Sequence, residues 1–199
     1  MLSTSKKVFL LKCIIHLIAL GLIANQYYLA INDQLGGDPV KAIIHFTGIG
    51  AFNLLLVTLI ISPLAKRLKQ GFLMQVRRLL GMYAFFYACC HLLSFLAFDL
   101  QFEWRLFVEE VIKRPYITIG MLAFLWLIPM AVTSLAVLKR KMKGNWQSLH
   151  NGNYAIVFLV AIHFYWSVKS ELIEPSIYIL LTAFLLWLRK DKIKRIFVK

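Results

Sequence analysis

The sequence predicts an all-α integral membrane protein, a bundle of six spanning helices with both termini in the cytoplasm. The first observation behind this prediction is composition: 60% of the 199 residues are hydrophobic and only 16% are charged. Soluble domains average about 45–50% apolar and about 25% charged residues. The second observation is a series of long apolar stretches, and the third is a bias of cations toward alternate connections. The composition excludes an ordinary soluble enzyme, a disordered chain and a small secreted disulfide scaffold.

Six apolar stretches bounded by charge are the predicted spans, since a spanning helix needs about 20 mostly apolar residues. They are Val8–Ile31, Ile43–Pro63, Leu79–Phe98, Tyr116–Leu138, His150–Val168 and Pro175–Leu188. The sixth is short, and extension back to Leu172 brings it closer to the required length. The first stretch is too long for a signal peptide and has no small-residue cleavage site, so we expect a retained helix. We predict one domain over residues 1–199.

The cations identify the side of the membrane. Of 23 Lys and Arg residues, 18 lie at the N-terminus, in the second-to-third and fourth-to-fifth connections, or in the C-terminal tail. Eight of the nine acids lie in the other three connections. The cation-rich side is expected to be cytoplasmic. The net charge of +14 therefore indicates topology, and nucleic acid is not an expected partner; membrane lipid is. The amphipathic segment 99–115 predicts a short helix on the outer surface.

Histidines within the spans are the candidate functional residues, because ionisable groups in the membrane are costly. His91 follows Arg78 by 13 residues, and His163 follows His150 by 13 residues. Each of the two inner histidines thus lies about 20 Å from the cytoplasmic edge of its span. Two neutral imidazoles at one depth can ligate a haem iron from both sides, an arrangement that suits electron transfer. A structural role in hydrogen bonding between helices is the alternative.

Other ligand types are less well supported by the sequence. A zinc site needs further ligands, and no acidic residue lies within the spans. The three cysteines, Cys13, Cys89 and Cys90, lie in apolar stretches without metal-site spacing, and we interpret them as packing residues. No internal repeat of 20–50 residues is apparent.

Further polar residues are candidates for a second cofactor contact. Arg77 lies 14 residues before His91 and on nearly the same helix face, near the cytoplasmic surface. With Arg78 and His150 it forms a basic cluster suited to an anion such as a haem propionate or a flavin phosphate. The alternative role for both arginines is topology marking with lipid phosphate contact. The remaining histidines, His16 and His45, are not level with His150 and are additional candidates.

Several short motifs together resemble the MsrQ family, formerly called YedZ. The resemblance covers nearly the whole chain, including the spacing of all five histidines. Its motifs are Gly37-Asp38-Pro39-Val40-Lys41, His45-Phe46-Thr47-Gly48, Arg77-Arg78-Leu79-Leu80-Gly81, Arg114-Pro115-Tyr116, Trp146-Gln147-Ser148-Leu149-His150 and His163-Phe164-Tyr165-Trp166-Ser167-Val168-Lys169. Each motif is weak alone, whereas their order and positions are highly specific.

The resemblance implies a multi-pass b-type cytochrome of the bacterial inner membrane, in the ferric-reductase-like transmembrane superfamily. It implies one or two haems b with ligands at His91, His150 and His163, and FMN as a further cofactor. The implied function is delivery of electrons to MsrP, a periplasmic molybdopterin enzyme that repairs oxidised methionines. The implied electron donor is the quinone pool or a cytosolic flavin reductase. The chain would then be the electron-transfer subunit, without catalytic residues of its own.

One departure from the wider superfamily concerns the third span. Ferric reductases and NADPH oxidases place two histidines on that helix, whereas here the inner position is Arg77. Two other functions are alternatives: a self-contained transmembrane metalloreductase for ferric or cupric ions, and a small transporter or structural membrane protein.

Overall fold

The computed structural model describes residues 3–168 and 172–197, which contain ten α-helices and no β-strand. Lys169, Glu171 and Lys199, which the charge counts include, lie outside the described residues. A 3₁₀ turn over Gly71–Gln75 precedes α3, and a π-helical turn over Phe95–Asp99 continues it. The helices are α1 Thr4–Ile31, α2 Pro39–Arg67, α3 Arg77–Ser94, α4 Trp104–Lys113, α5 Pro115–Val132, α6 Ala136–Met142, α7 Gly144–Asn151, α8 Asn153–Ser167, α9 Ile173–Trp187 and α10 Lys190–Phe197.

The first helices begin where the sequence provides caps. The side chain of Ser3 accepts a hydrogen bond from the backbone N–H of Lys6, and Asp38 accepts one from Lys41 at 2.9 Å. Both are N-cap positions, which leave backbone N–H groups to be satisfied. Pro39 opens α2 at a position where its missing N–H costs no hydrogen bond.

Four helical segments among the described residues have the length and composition to cross a membrane: Thr4–Ile31, Pro39–Arg67, Gly71–Asp99 and Pro115–Val132. They correspond to the first four predicted spans. The fourth ends at Val132, six residues before the predicted Leu138, because the hydroxyls of Thr133 and Ser134 bond carbonyls of the last turn and the chain then turns.

The fifth predicted span is shorter than expected, whereas the sixth nearly matches its short predicted length. The prediction placed His150 at the start of the fifth span, but the helix breaks at Gly152 and α8 begins at Asn153. Both α8 and α9 have 15 residues. The count of six crossings and the cytoplasmic position of both termini stay predictions.

The first compact unit of the chain is Met1–Trp104. In it α2 packs along α3, and α1 packs against both. Three hydrogen bonds join α1 to α3: the Tyr87 hydroxyl donates to Ala19 O at 2.7 Å, Tyr27 Oη lies 2.7 Å from Ser94 Oγ, and His16 bonds the Tyr83 hydroxyl. These bonds fix the position of α3, which carries His91.

The second compact unit is Arg105–Lys199. In it α8 packs against α5 on one side and α9 on the other. Ile156 and Val157 of α8 are fully buried, and Phe164 meets Tyr178 of α9 edge to face at 5.5 Å. This packing positions α8, which carries His163.

The predicted short amphipathic helix within segment 99–115 is confirmed as α4. Its polar side has a ladder in which Glu109 pairs with Arg105 and Lys113, each one turn away. The hydrogen bond and the charge of Lys113 lower the pKa of the Glu109 carboxyl. The contribution of this ladder to helix stability is therefore present at neutral pH and is lost as the pH falls through that lowered pKa. The position of α4 on the outer membrane surface stays a prediction.

Candidate functional site

His91 is anchored through one ring nitrogen to the neighbouring helix. It lies half-buried on α3, and its Nδ1 is 2.8 Å from the backbone oxygen of Ile44 on α2. A carbonyl oxygen can only accept, so Nδ1 carries the proton and the Nε2 atom carries the lone pair. This is the tautomer that ligates a metal through Nε2, with a carbonyl orienting the ring.

Gly48 provides the space for the His91 ring. It lies one turn after Ile44 on α2, so the ring extends along the face of that helix. A Cβ atom added at position 48 would lie 3.0 Å from both Nδ1 and Cε1 of His91. The ring therefore packs directly on the glycine backbone.

His163 has the same arrangement in the second unit. It lies half-buried on α8, and its Nδ1 is 2.7 Å from the backbone oxygen of Tyr116 on α5. Gly120, one turn after Tyr116, faces the ring: an added Cβ would lie 2.7 Å from Nδ1 and 2.9 Å from Cε1. The Nε2 atom of His163 again carries the lone pair.

The His91 and His163 arrangements consist of the same three positions, shifted by one constant interval along the chain. The interval between matched positions is 72 residues in all three cases, which are Ile44 and Tyr116, Gly48 and Gly120, and His91 and His163. No repeat of 20–50 residues was predicted from the sequence, and neither these glycines nor these carbonyls were predicted as part of a site. The sequence pattern that could have revealed them is the equal interval of 43 residues between each glycine and its histidine.

The donor set fits haem better than a bare metal ion. Within residues 3–168 and 172–197 no group of three or more His, Cys, Asp or Glu residues is placed to hold a metal ion. A macrocycle that supplies its own four equatorial nitrogens needs only axial ligands, such as Nε2 of histidine. The glycine surface beneath each ring and the protonated Nδ1 both match that requirement.

His150 has the opposite tautomer. Its Nε2 lies 3.1 Å from Thr133 Oγ1, and the Thr133 hydroxyl donates to Pro129 O at 2.6 Å. The only hydroxyl proton of Thr133 points to Pro129 O. Thr133 Oγ1 therefore accepts a hydrogen bond from His150, whose Nε2 carries the proton. Ligation of iron by Nε2 of His150 requires exchange of this hydrogen bond for a metal bond. The haem-ligand role that the resemblance implies for His150 stays a prediction.

Trp146 packs against His150 and forms a small cluster with it on α7. The two rings stack at 4.1 Å, and the indole N–H of Trp146 donates to Thr133 O at 2.9 Å. The ammonium group of Lys139 lies 4.4 Å from the centre of the indole ring, which is the distance of a cation–π contact. His150 is therefore held by a hydrogen bond on its edge and by an aromatic ring on its face.

The remaining sequence candidates lie in the first unit. Arg77 is the half-buried first residue of α3, and Arg78 beside it is exposed. His45 is an exposed residue of α2 next to Ile44. His16 is exposed on α1, and its Nδ1 forms a hydrogen bond with the Tyr83 hydroxyl.

Replacement of Thr133 by valine tests the contact with His150. The variant keeps the side-chain shape but leaves Nε2–H without its acceptor, which costs about 1 kcal/mol of unfolding free energy. Thermal or denaturant unfolding in detergent measures the loss. Thr133→Ser keeps the hydroxyl and should retain most of the stability. Equal losses in both variants would show that the methyl group, and not the hydrogen bond, matters at this position.

Comparison with known proteins identifies the family. The model of the ferric reductase like transmembrane component matches residues 46–162. No solved structure matches the chain significantly. Three curated relatives carry the name protein-methionine-sulfoxide reductase heme-binding subunit MsrQ. They are from Xanthomonas axonopodis pv. citri (strain 306), 44% identical over 94% of this chain and 88% of the relative; Xanthomonas oryzae pv. oryzae (strain MAFF 311018), 43% over 96% and 91%; and Xanthomonas campestris pv. campestris (strain 8004), 48% over 78% and 71%.

The match extends over most of the chain, and the family model includes both His91 and Gly120. The resemblance stated from the sequence motifs is therefore confirmed. The chain belongs to the MsrQ family of haem-binding membrane subunits, within the ferric-reductase-like transmembrane proteins.

Proposed function

We propose that this chain carries electrons through a b-type haem to the periplasmic reductase MsrP, for repair of oxidised periplasmic proteins. The observation that supports it best is the matched environment of His91 and His163. Each ring has Nδ1 anchored by a backbone carbonyl and Nε2 carrying the lone pair. The names of the relatives indicate haem binding and a methionine sulfoxide reductase system.

In this proposal the Nε2 atoms of the two histidines would hold haem. Bound haem would supply a one-electron carrier, which suits electron transfer rather than oxygen chemistry. The carbonyls of Ile44 and Tyr116 hold the rings in one orientation and make Nε2 more basic.

The charge pattern sets the orientation of the protein in the membrane, and this orientation determines the direction in which electrons cross. The cation-rich connections belong on the cytoplasmic side of the inner membrane, and the acid-rich connections on the periplasmic side. The contact surface for MsrP would then consist of the segments 33–41 and 99–114. The electron donor is the quinone pool or a cytosolic flavin reductase, and FMN as a further cofactor is part of the same proposal.

An experiment on the purified protein tests the proposal. The protein should show Soret and α bands of a b-type haem that dithionite reduces. Addition of purified MsrP and a methionine sulfoxide substrate to the reduced protein should restore the oxidised spectrum. Haem and flavin extraction from the same sample gives the stoichiometry of both cofactors.

The metalloreductase alternative is favoured by the family model, whose description names ferric reductase. Ferric citrate added without MsrP distinguishes the two functions. Rapid reoxidation by ferric citrate with no response to MsrP would favour the metalloreductase. A colourless preparation would contradict both, and would favour the transporter or structural role.

A further inference from the structure

His16 is a polar side chain on an apolar surface. It is exposed on α1, and the residues after it, Leu17 and Ile18, are 73% and 56% exposed. In a membrane-spanning helix such a surface faces lipid. An imidazole in that position is costly unless it has partners, and it is a functional candidate by default.

The partner that the structure provides is Tyr83 on α3. Its hydroxyl forms a hydrogen bond with Nδ1 of His16, and the two rings meet edge to face at 5.4 Å. Tyr83 itself is only 7% exposed. A hydroxyl can donate or accept, so it supports either tautomer of His16. Nε2 of His16 can therefore donate a hydrogen bond to a ligand oxygen or accept one from it.

An exposed aromatic ring lies beside this pair. Phe86 is 41% exposed and meets Tyr83 edge to face at 6.3 Å. His16 and Phe86 thus both contact the ring of the buried tyrosine, and both are exposed. A flat apolar ring can pack against Phe86 while its polar edge meets His16.

The depth of the pair excludes a lipid head group as the intended ligand. Lys12 is the last cation before the apolar part of α1, and His16 follows it by one turn, about 6 Å along the axis. Tyr83 follows Arg78 on α3 by five residues, about 7.5 Å. Both helices therefore place the pair within the hydrocarbon of the cytoplasmic leaflet, above the level of the phosphates.

An open surface depression of about 420 Å³ lies along α1, about one turn before His16. It is lined by Ser5, Val8, Phe9, Lys12 and Gln75. Lys12 and His16, four residues apart, are neighbours on one helix face. This surface of the first unit thus offers two polar groups one turn apart, Lys12 and His16, and the aromatic ring of Phe86.

We infer that His16, Tyr83 and Phe86 bind the head group of a membrane quinone, with one ring oxygen at Nε2 of His16 and the other directed toward Lys12. A quinone accepts hydrogen bonds and a quinol donates them, and the Tyr83 hydroxyl lets His16 satisfy both forms. The isoprenoid tail would lie along the exposed apolar residues of α1. This inference rests on the proposed function and adds the place where the electron donor binds.

The position of the pair also suits electron delivery. Tyr83 and His91 are eight residues apart on α3, about 12 Å along the helix. Oxidation of one quinol to the quinone releases two electrons and two protons. Haem held by His91 would accept these electrons one at a time and would pass each on before taking the next. The protons leave to the cytoplasmic water, one of them through Nε2 of His16.

Binding of decylubiquinone to the protein in quinone-free phosphatidylcholine nanodiscs tests the site. We expect His16→Leu to weaken the affinity about tenfold, because a hydrogen bond to the ring oxygen is lost. Tyr83→Phe removes only a hydroxyl and should weaken it severalfold. Leu122→Ala, at an exposed apolar position of α5 in the second unit, should bind as the wild type does. Wild-type affinity in both His16→Leu and Tyr83→Phe would overturn the inference.

Reduction kinetics separate this inference from the proposed function. Dithionite should reduce the haem of every variant to the same extent, whereas decylubiquinol should reduce it more slowly in the two site variants. Absence of dithionite-reducible haem in the wild type contradicts the proposed function itself. Full haem content with unchanged decylubiquinol rates in both site variants contradicts only the assignment of the quinone site.

Discussion

Replacement of His163 by alanine is expected to abolish haem binding at the site that this residue serves. The variant removes the axial Nε2 donor and leaves the Tyr116 carbonyl with one hydrogen bond fewer. Loss of a residue that merely orients a ligand typically costs about 10–100-fold in metal affinity, and loss of the ligand itself costs more. His91→Ala should have the same effect, because its ring has the same anchor on Ile44.

The measurement is the ratio of haem to protein, determined by the pyridine haemochrome spectrum of purified variants. His45→Ala is the matched control, because His45 is an exposed histidine on α2 and should keep the full ratio. Added imidazole should restore part of the bound haem in His163→Ala, since it can occupy the space of the lost ring. Full haem content in both His91→Ala and His163→Ala would exclude them as ligands.

The same variants test whether the two histidines ligate one iron. If they do, each single variant should lose the low-spin electron paramagnetic resonance signal of that iron completely. If each histidine serves a different iron, each variant should lose only part of the total low-spin signal. The double variant distinguishes the cases further, because only separate irons give additive losses.

The helices were predicted from the sequence more successfully than the contacts between them. The first four spans and α4 were predicted because long apolar stretches and an amphipathic segment are local patterns. His91 and His163 were predicted as candidates from depth, which depends only on counting along a helix. The carbonyls that anchor them could not be predicted, because they depend on which helices pack together, α3 on α2 and α8 on α5.

The positions of His150 and His16 show two other limits of sequence patterns. The helix break falls at Gly152, where the indole of Trp126 would lie 2.5 Å from an added Cβ. That contact has no local signal in the chain. Nearly all residues of α1 after Lys12 are apolar, so no periodic pattern distinguishes the lipid-facing side. Sequence thus gave the depth of His16 but not the surface on which it lies.

Replacement of Gly120 by alanine is expected to reduce haem binding without removing any donor atom. The new Cβ would lie 2.7 Å from Nδ1 of His163, closer than real Cβ contacts. The neighbouring atom belongs to a ring that is fixed by its bond to Tyr116 O, so the ring must move and that bond must lengthen. The loss of orientation should lower haem affinity by about 10-fold or more.

The corresponding variant at Gly48 should have a smaller effect of the same kind. Its added Cβ would lie 3.0 Å from the His91 ring, a contact that a shift of a few tenths of an ångström relieves. Gly48→Ala should therefore retain haem but shift its reduction midpoint and its low-spin spectrum. Redox titration and electron paramagnetic resonance measure both properties on the purified protein.

Gly81→Ala is the control that separates ring displacement from a general effect of alanine. Gly81 lies on α3, the helix of His91, and nothing stands within 4 Å of its added Cβ. Alanine is favoured over glycine inside a helix by about 0.8–1.0 kcal/mol, so this variant should keep its haem and gain stability. If Gly120→Ala binds haem as Gly81→Ala does, the packing of His163 on a glycine surface has no role in holding the haem.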